Sequence, residues 1–268
     1  MSRSRLRGPG EIAEDEAGPA LARTYSRLRE MLGVGFVPTL YRMLGVHESY
    51  LAAAADSIEG LIEGGGGEAF AVGARGLAGR AAADFPAASI QLGREADPIS
   101  AIFERYNRAN PRNLLFARAL LPAGPDDAGG VMGPREDRPA SFADQEAVLV
   151  DVEAAHGGFV RPGLWRELAE FPEVLTEAWL AVSPLGDVPA FQDARASILS
   201  AATSAVADVD PPDPRELGLG GEAVRSIEAI LGWFTRGISA MIIEIEYLRR
   251  ITHGPNDPSL GKERTHEG

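Results

Sequence analysis

Cysteine is absent from the 268 residues of this chain. Its absence excludes disulfide bonds, thiolate metal sites, thiol redox chemistry and a cysteine nucleophile. Histidine is also scarce, and no two of the four histidines have the spacing typical of metal ligands: they are His47, His156, His253 and His266. We therefore expect neither a metal ion nor a cofactor.

Positive charge is in short supply, with 26 lysines and arginines against 39 aspartates and glutamates and a formal net charge of −13. Such an acidic chain repels phosphate backbones, so nucleic acid is not an expected partner. No apolar run approaches the ~20 residues that span a bilayer. The basic residues 1–7 are not followed by the apolar segment of a secretory signal. We expect no membrane association and a cytoplasmic location.

Strand patterns are weak, because alternation of apolar and polar residues never persists over a full strand length. Helical periodicity is strong, and it predicts an all-α fold. Asn110-Pro111 is expected to end one helix and begin the next, and Ser141 to cap another. The predicted helices include residues 11–32, about 48–63, 68–83, 188–205 and about 222–251. Further helices are predicted to begin near Pro38, Asp97, Pro111, Ser141, Pro162 and Pro172.

The chain contains an internal similarity. Residues 35–44 read GFVPTLYRML, and residues 158–168 read GFVRPGLWREL. Between them, residues 122–140 hold four prolines, four glycines and four acidic residues, a composition typical of a linker. We predict a first helical repeat at 1–121, a linker at 122–140 and a second repeat at 141–268. The two repeats would pack as an intrachain pseudo-dimer with a ligand pocket between them, in a monomer or a homodimer.

Four motifs in sequence order carry a resemblance to a known family: RML at 42–44, YNRANPRNLL at 106–115, LAEFPEVL at 168–175 and IIEI at 242–245. With them the chain resembles the DehI family, the group I 2-haloacid dehalogenases. That family is all-α with two repeats. Its members hydrolyse the carbon–halogen bond of short 2-haloalkanoic acids. An aspartate, helped by an asparagine, activates a water that attacks the α-carbon directly and inverts it. The implied ligand here is a small organic acid.

The resemblance assigns roles to particular positions. It places the water-positioning asparagine at Asn110, and the serine–aspartate pair that carries the catalytic base at Gly163 and Leu164. Leucine cannot take a proton, so the chain departs from the family pattern at its central residue. The implied substrate-binding positions are Phe36, Thr39, Asn113, Gly163, Leu231, Thr235 and Ile238.

Another side chain would then have to serve as the base. His156 lies near the motif that should carry the aspartate, and an unperturbed pKa of ~6.5 suits proton abstraction. Glu153 and Glu167 are further candidates. Glu244 and Glu246 interrupt the apolar final helix, and a buried carboxylate there could exchange protons, although pairing with Arg249, Arg250 or a residue of the other half is the simpler interpretation.

Plainer roles are also open. Asn110 could cap the helix that begins at Pro111, Asn113 could be solvated in its first turn, and His156 could stabilise a helix C-terminus.

Two other functions stay open as well. One is a non-catalytic relative that binds a small carboxylic acid or an apolar ligand between its halves. The other is a different reaction in the same pocket, such as decarboxylation or isomerisation, since the helical pattern is similar to that of carboxymuconolactone-decarboxylase-like proteins.

Overall fold

The computed structural model describes residues 10–121 and 132–253. This part of the chain forms ten α-helices and contains no strand, which confirms the predicted all-α class. Four short 3-10 turns lie between or before the helices. The helices are α1 (Pro19–Leu32), α2 (Thr39–Leu44), α3 (Glu48–Glu63), α4 (Gly66–Ala83), α5 (Ala96–Leu120), α6 (Gln145–Ala155), α7 (Gly163–Leu168), α8 (Pro172–Val182), α9 (Pro189–Ala205) and α10 (Gly221–His253).

The first helix begins later than its sequence pattern predicted. Pro19 occupies the first turn of α1, where a missing N–H costs nothing, and residues 11–18 run ahead of the helix with a 3-10 turn at Glu14–Glu16. Gly33 ends α1 in the left-handed conformation, with φ of 65°. The segment in front of α1 is therefore available to lie along one edge of the candidate site.

The expected break at Asn110-Pro111 does not occur, and that prediction was wrong. Helix α5 runs through Pro111 without interruption. Proline has no N–H to donate to the Asn107 carbonyl, and in a helix interior this costs about 3 kcal/mol. Nearly every residue from 106 to 120 is nonetheless buried, with α10 as the main neighbour, so packing outweighs the lost hydrogen bond. Asn110 is consequently a mid-helix residue and not an N-cap.

Helices α5 and α10 form the centre of the molecule. Buried side chains from both predicted halves belong to one continuous hydrophobic core. Helix α10 has 33 residues, about 50 Å at 1.5 Å per residue, and is apolar on almost every side. It is long and apolar enough to cross a membrane, but 78% of its most apolar window is buried inside the protein, as in a core helix.

Helices α2 and α7 follow the internal similarity of the sequence. Each has six residues, and each is preceded by a proline, Pro38 or Pro162. Asp144 is the N-cap of α6, and its carboxylate accepts a hydrogen bond from the Ala147 N–H at 2.9 Å. The expected cap at Ser141 was therefore wrong. Most of the predicted linker, residues 122–131, lies outside the described residues, and residues 132–140 contain no helix. The duplication and the pseudo-dimer stay predictions.

Candidate functional site

A cavity of about 820 Å³ opens between the segment before α1 and helices α2, α5, α7 and α10. It is therefore lined by residues of both predicted halves. Its lining combines apolar side chains with four arginines and four glutamates: Arg42, Arg105, Arg161, Arg166, Glu11, Glu14, Glu167 and Glu170. Six of the ten residues proposed for the site from the sequence line it: Phe36, Thr39, Asn110, Asn113, Gly163 and Ile238.

Asn110 contributes a buried polar group that has no hydrogen-bond partner among the described residues. Its side chain lines the cavity from the middle of α5 and is 3% exposed. The Nδ2 atom is buried, and no group among the described residues accepts its hydrogen bond. A buried donor without a partner costs about 1–3 kcal/mol, so its retention calls for an explanation. A water or ligand atom in the cavity would satisfy it.

Asn113 is buried, contrary to the expectation that it would be solvated. It lies one turn after Asn110 on the same face of α5 and is 4% exposed. Its Oδ1 accepts a hydrogen bond from the Tyr41 hydroxyl at 2.9 Å. Burial raises the pKa of Tyr41 well above its ordinary value, so the hydroxyl stays protonated and keeps donating. This bond fixes the orientation of Asn113 and so shapes the cavity wall next to Asn110.

Glu167 presents a carboxylate to the same cavity. Its Oε1 accepts a hydrogen bond from the Tyr106 hydroxyl at 2.9 Å, and its Oε2 pairs with Arg105. The Arg105 guanidinium lies 5.6 Å from the centre of the Phe36 ring, which in turn lies 5.7 Å from the Tyr106 ring. Burial, and then the Glu167 carboxylate, raises the pKa of Tyr106 far above its ordinary value. Tyr106 is therefore a fixed donor that holds Glu167 in place.

Gly163 makes that arrangement sterically possible. A Cβ atom at position 163 would lie 2.5 Å from the Tyr106 hydroxyl oxygen, far inside a normal contact. Glycine at the start of α7 thus lets the tyrosine hydroxyl pass close to the backbone and reach Glu167.

We expect Gly163→Ala to lower the free energy of unfolding by about 1–3 kcal/mol, because the new methyl group forces Tyr106 out of its position. Thermal unfolding of the variant checks this. The matched control is Gly79→Ala on α4, where a Cβ meets nothing within 4 Å and a helix-interior alanine should be neutral or stabilising. Adding Tyr106→Phe to Gly163→Ala should restore most of the loss. A Gly163→Ala protein as stable as the Gly79→Ala control would contradict the steric argument.

Two arginines that line the cavity lie close to one another. Arg42 on α2 and Arg166 on α7 donate to the same hydroxyl oxygen, Thr39 Oγ1, at 3.0 Å and 2.5 Å. The Glu11 carboxylate lies between them, 3.0 Å from Arg42 Nη2 and 3.5 Å from Arg166 Nη1. Burial lowers the pKa of Arg42, Glu11 acts against that shift, and the nearby Arg166 adds to it. This cluster therefore places two guanidinium groups against one carboxylate, a local excess of positive charge on a chain that is acidic as a whole.

The other four residues proposed from the sequence lie elsewhere. Leu164, Leu231 and Thr235 are 0% exposed and are not among the residues that line the cavity. Helix α7 presents one face, with residues 163, 166 and 167, to the cavity. Its other face, with Leu164, Trp165 and Leu168, is buried in the core. The prediction that Leu164, Leu231 and Thr235 lie in the pocket therefore disagrees with the structure, in which all three are core residues.

His156 is also remote from the cavity lining, and it is unsuited to the role of base. It is 0% exposed and both ring nitrogens are engaged: Nδ1 lies 2.8 Å from the Val152 carbonyl oxygen and Nε2 lies 3.0 Å from Glu244 Oε1. The other Glu244 oxygen accepts a hydrogen bond from the Trp165 indole at 3.1 Å. Glu244 thus pairs with His156, and not with an arginine as the sequence suggested. The pair is a buried interaction in the core, and neither residue lines the cavity.

This buried pair makes stability depend on pH. Burial alone would lower the pKa of His156, but the charge and hydrogen bond of Glu244 outweigh it and the pKa is raised above its ordinary value. The stabilisation is therefore fully present below about pH 6.5 and is lost as the pH rises through the folded-state pKa.

We expect Glu244→Gln to cost about 3–5 kcal/mol of unfolding free energy at pH 5–6, and progressively less at higher pH. Denaturant unfolding of wild type and variant between pH 5 and 9 measures this difference. Glu222→Gln is the control, since Glu222 is exposed in the first turn of the same helix. A cost for Glu244→Gln that stays constant across the pH range would show that His156 is not charged in the folded protein.

The remaining acidic candidates have structural partners. Glu153 pairs with Arg161 at 2.9 Å and does not line the cavity. Glu246 pairs with Arg249 at 3.2 Å, which is the interpretation preferred from the sequence. Among residues 10–121 and 132–253, no cluster of three or more histidine, aspartate or glutamate side chains is arranged to hold a metal ion.

The sequence did not predict most of the charged residues that line the cavity. Tyr106, Arg105, Glu11 and the two arginines at 42 and 166 were not assigned roles there. One signal for the arginines was available, because they occupy the same position in the two similar segments, YRML and WREL. Nothing local pointed to Glu11, whose role depends on how the N-terminal segment lies across α2 and α7.

Comparison with known proteins identifies the fold. No family model matches the sequence, and no curated protein matches it. Solved structures of D-2-haloacid dehalogenases do match. A mutant in complex with D-2-CPA superposes with a TM-score of 0.75, 20% sequence identity, and coverage of 90% of this chain and 94% of that one.

Two further structures agree. A D-2-haloacid dehalogenase with L-LA gives a TM-score of 0.76 at 18% identity, covering 90% of this chain and 95% of that one. Another mutant gives 0.74 at 19% identity, with coverage of 90% and 94%. The chain therefore has the all-α fold of the D-2-haloacid dehalogenases over nearly its whole length. At this level of identity the similarity establishes the fold, and any function must rest on the site.

Proposed function

We propose that the protein binds a short 2-haloalkanoic acid in the 820 Å³ cavity and hydrolyses its carbon–halogen bond. One observation carries the proposal: the unpartnered Asn110 amide and the Glu167 carboxylate line the same cavity. The first supplies a hydrogen-bond donor and the second a proton acceptor, which are the two groups needed to hold and activate a water. The fold shared with D-2-haloacid dehalogenases supports this choice of reaction.

In this proposal Glu167 takes the place of the missing aspartate. It lies one helical turn after Leu164 on α7, and it faces the cavity whereas Leu164 faces the core. Tyr106 and Arg105 keep its carboxylate in a fixed position. A base held in this way loses little entropy when it meets the water, which favours a well-aligned attack.

The reaction follows from these positions. As the water oxygen bonds to the α-carbon, one water proton passes to Glu167 and the carbon–halogen bond breaks, with the halide leaving with the bonding electron pair. The products are a 2-hydroxy acid of inverted configuration and a halide ion, and the proton on Glu167 is then lost to solvent. The apolar cavity wall, which includes Ile102, Ile238 and Met241, suits the alkyl chain of such an acid.

Halide release from the separate enantiomers of 2-chloropropionate tests the proposal. We expect purified wild-type protein to release chloride above the blank, and chiral chromatography to show lactate of inverted configuration. Chloride release equal to the blank for both enantiomers, in protein shown to be folded by its helical circular dichroism, would rule out this reaction for this substrate class.

A second candidate function has its own support. Both Glu167 oxygens already have partners, in Tyr106 and Arg105, so a water would have to compete with these contacts for the carboxylate. The protein could then bind a small carboxylic acid in the cavity without converting it. Saturable binding of 2-chloropropionate by isothermal titration calorimetry, with no halide released, would select this function over hydrolysis.

A further inference from the structure

We propose that Arg42 and Arg166 together form the carboxylate-binding subsite of the cavity, and that Glu11 occupies this subsite until a ligand carboxylate displaces it. This inference rests on the proposed function in one respect, that the cavity takes an organic acid. It goes further by naming the residues that recognise the acid and an internal group that competes with it.

The contacts describe a carboxylate already bound. Glu11 offers one oxygen to each arginine, at 3.0 Å and 3.5 Å, and its side chain is only 4% exposed. Thr39 Oγ1 accepts from both guanidinium groups as well, at 3.0 Å and 2.5 Å, and so ties them together. Two arginines that converge on the two oxygens of one carboxylate form a geometry that a ligand carboxylate can reproduce.

The charges explain why an anion is needed at this point. Two guanidinium groups that share one hydroxyl repel each other, and a neutral threonine oxygen cannot cancel that repulsion. A single carboxylate between them neutralises half of the paired charge and accepts hydrogen bonds from both. A ligand carboxylate in the place of Glu11 would accept the same hydrogen bonds from the two arginines.

The position of the subsite points to a ligand and not only to a structural ion pair. Arg42 comes from α2 and Arg166 from α7, and both residues line the cavity together with Thr39 and Glu11. An anion held between the two helices is therefore inside the same space as the Asn110 amide and the Glu167 carboxylate. The two arginines also occupy the same place in the two similar sequence segments, so each half contributes one.

Other contacts hold the segment that carries Glu11, so the segment does not depend on the Glu11 carboxylate alone for its position. The Ile12 N–H donates to the Arg42 carbonyl at 3.0 Å, and the Ile12 carbonyl accepts from the Tyr25 hydroxyl at 3.0 Å. Glu14 Oε1 accepts from the Val37 N–H at 2.8 Å, and Oε2 pairs with Arg29 at 2.8 Å. Rotation of the Glu11 side chain alone would open the subsite, without unfolding the segment.

The chemical class of the ligand follows. It carries one carboxylate, and the uncharged amide of the same acid should bind poorly because it cannot replace the Glu11 carboxylate between the two arginines. An internal carboxylate competes with the ligand, so the apparent Kd equals the intrinsic Kd divided by the fraction of molecules in which the subsite is open. Removing that carboxylate should therefore strengthen binding of the acid and leave binding of the amide unchanged.

Isothermal titration calorimetry with lactate and lactamide, neither of which holds a carbon–halogen bond, tests this inference apart from any turnover. We expect Glu11→Gln to lower the lactate Kd by about fivefold or more, and Arg166→Gln to raise it by at least about tenfold. Arg166→Lys, which keeps the charge but loses the fork geometry, should fall between wild type and Arg166→Gln. Lactamide should bind at least about tenfold more weakly than lactate to wild type.

The matched control is Asp15→Asn, which removes the same charge from an exposed position four residues further along the same segment. It should leave the lactate Kd within twofold of wild type. A Glu11→Gln Kd within twofold of wild type, or an equal gain in Asp15→Asn, would overturn the inference. Thermal unfolding midpoints verify that the variants are folded. If wild type releases halide but Glu11→Gln does not change the lactate Kd, the proposed hydrolysis stands and this inference is refuted. If Glu11→Gln lowers the lactate Kd but no halide is released, this inference stands and the proposed hydrolysis is refuted.

Discussion

Replacement of Glu167 by glutamine is expected to reduce kcat for halide release by about 10²–10⁴-fold, the range typical of losing a general base. Glutamine has nearly the same shape and still accepts a hydrogen bond from Tyr106, but it cannot take the proton from the attacking water. The substrate still enters the cavity, so KM should change by less than about threefold. Initial rates of chloride release from 2-chloropropionate, measured over a range of substrate concentrations, separate the two constants.

The control for this prediction is Glu173→Gln on α8, an exposed carboxylate that does not line the cavity. It removes the same charge six residues away and should keep the wild-type rate. A Glu167→Gln protein with kcat within threefold of wild type would exclude Glu167 as the base. The pairing with Arg105 predicts a further result: the Glu167→Gln variant should keep a thermal midpoint close to wild type, since a partly exposed ion pair contributes about 0–1 kcal/mol.

Asn110→Leu is expected to lower kcat by about 10²–10³-fold, in line with the loss of one donor that holds a reacting group in place. Leucine has the same branched arrangement of side-chain heavy atoms as asparagine, and is bulkier, but it offers no hydrogen bond, so the attacking water loses its anchor. Stability should be unchanged or slightly improved, because the variant removes a buried Nδ2 that has no partner within the described protein. Chloride release and thermal unfolding of the same preparation measure both effects.

These opposite effects separate catalysis from structure. A residue that only supported the fold would lose stability and activity together. Loss of activity with stability retained identifies Asn110 as part of the reactive site, whereas a stable Asn110→Leu protein with wild-type kcat would remove it from the mechanism. Glu173→Gln again provides the reference rate.

The sequence predicted the helical class, because apolar periodicity is local and this chain has little competing strand pattern. It also placed most helix ends within a few residues. It failed at Asn110-Pro111, where local rules end a helix but burial against α10 carries the helix through. The same error gave Asn110 a capping role. In the structure its amide lines the cavity instead.

The candidate site was accessible from the sequence only in part. Asn110, Phe36 and Gly163 were placed by resemblance, and they line the cavity. The alignment carried Leu164 into the base position, but the direction of its side chain depends on which face of α7 packs inward, and that is fixed by the tertiary fold. For the same reason Glu167 was only one of several candidates. The pairing of Glu11 with two arginines 31 and 155 positions away in the chain follows no local rule.

The central hypothesis is that an organic acid binds in this cavity beside Asn110 and Glu167 and is attacked there by water. A crystal structure of the Glu167→Gln variant with 2-chloropropionate tests it most directly, because the expected loss of turnover preserves the ligand. We predict the acid in the cavity, with its carboxylate between Arg42 and Arg166 and a water about 3 Å from both the Asn110 amide and the residue 167 side chain. A ligand bound outside the cavity, or bound there with its α-carbon turned away from Asn110 and residue 167, would contradict the claim.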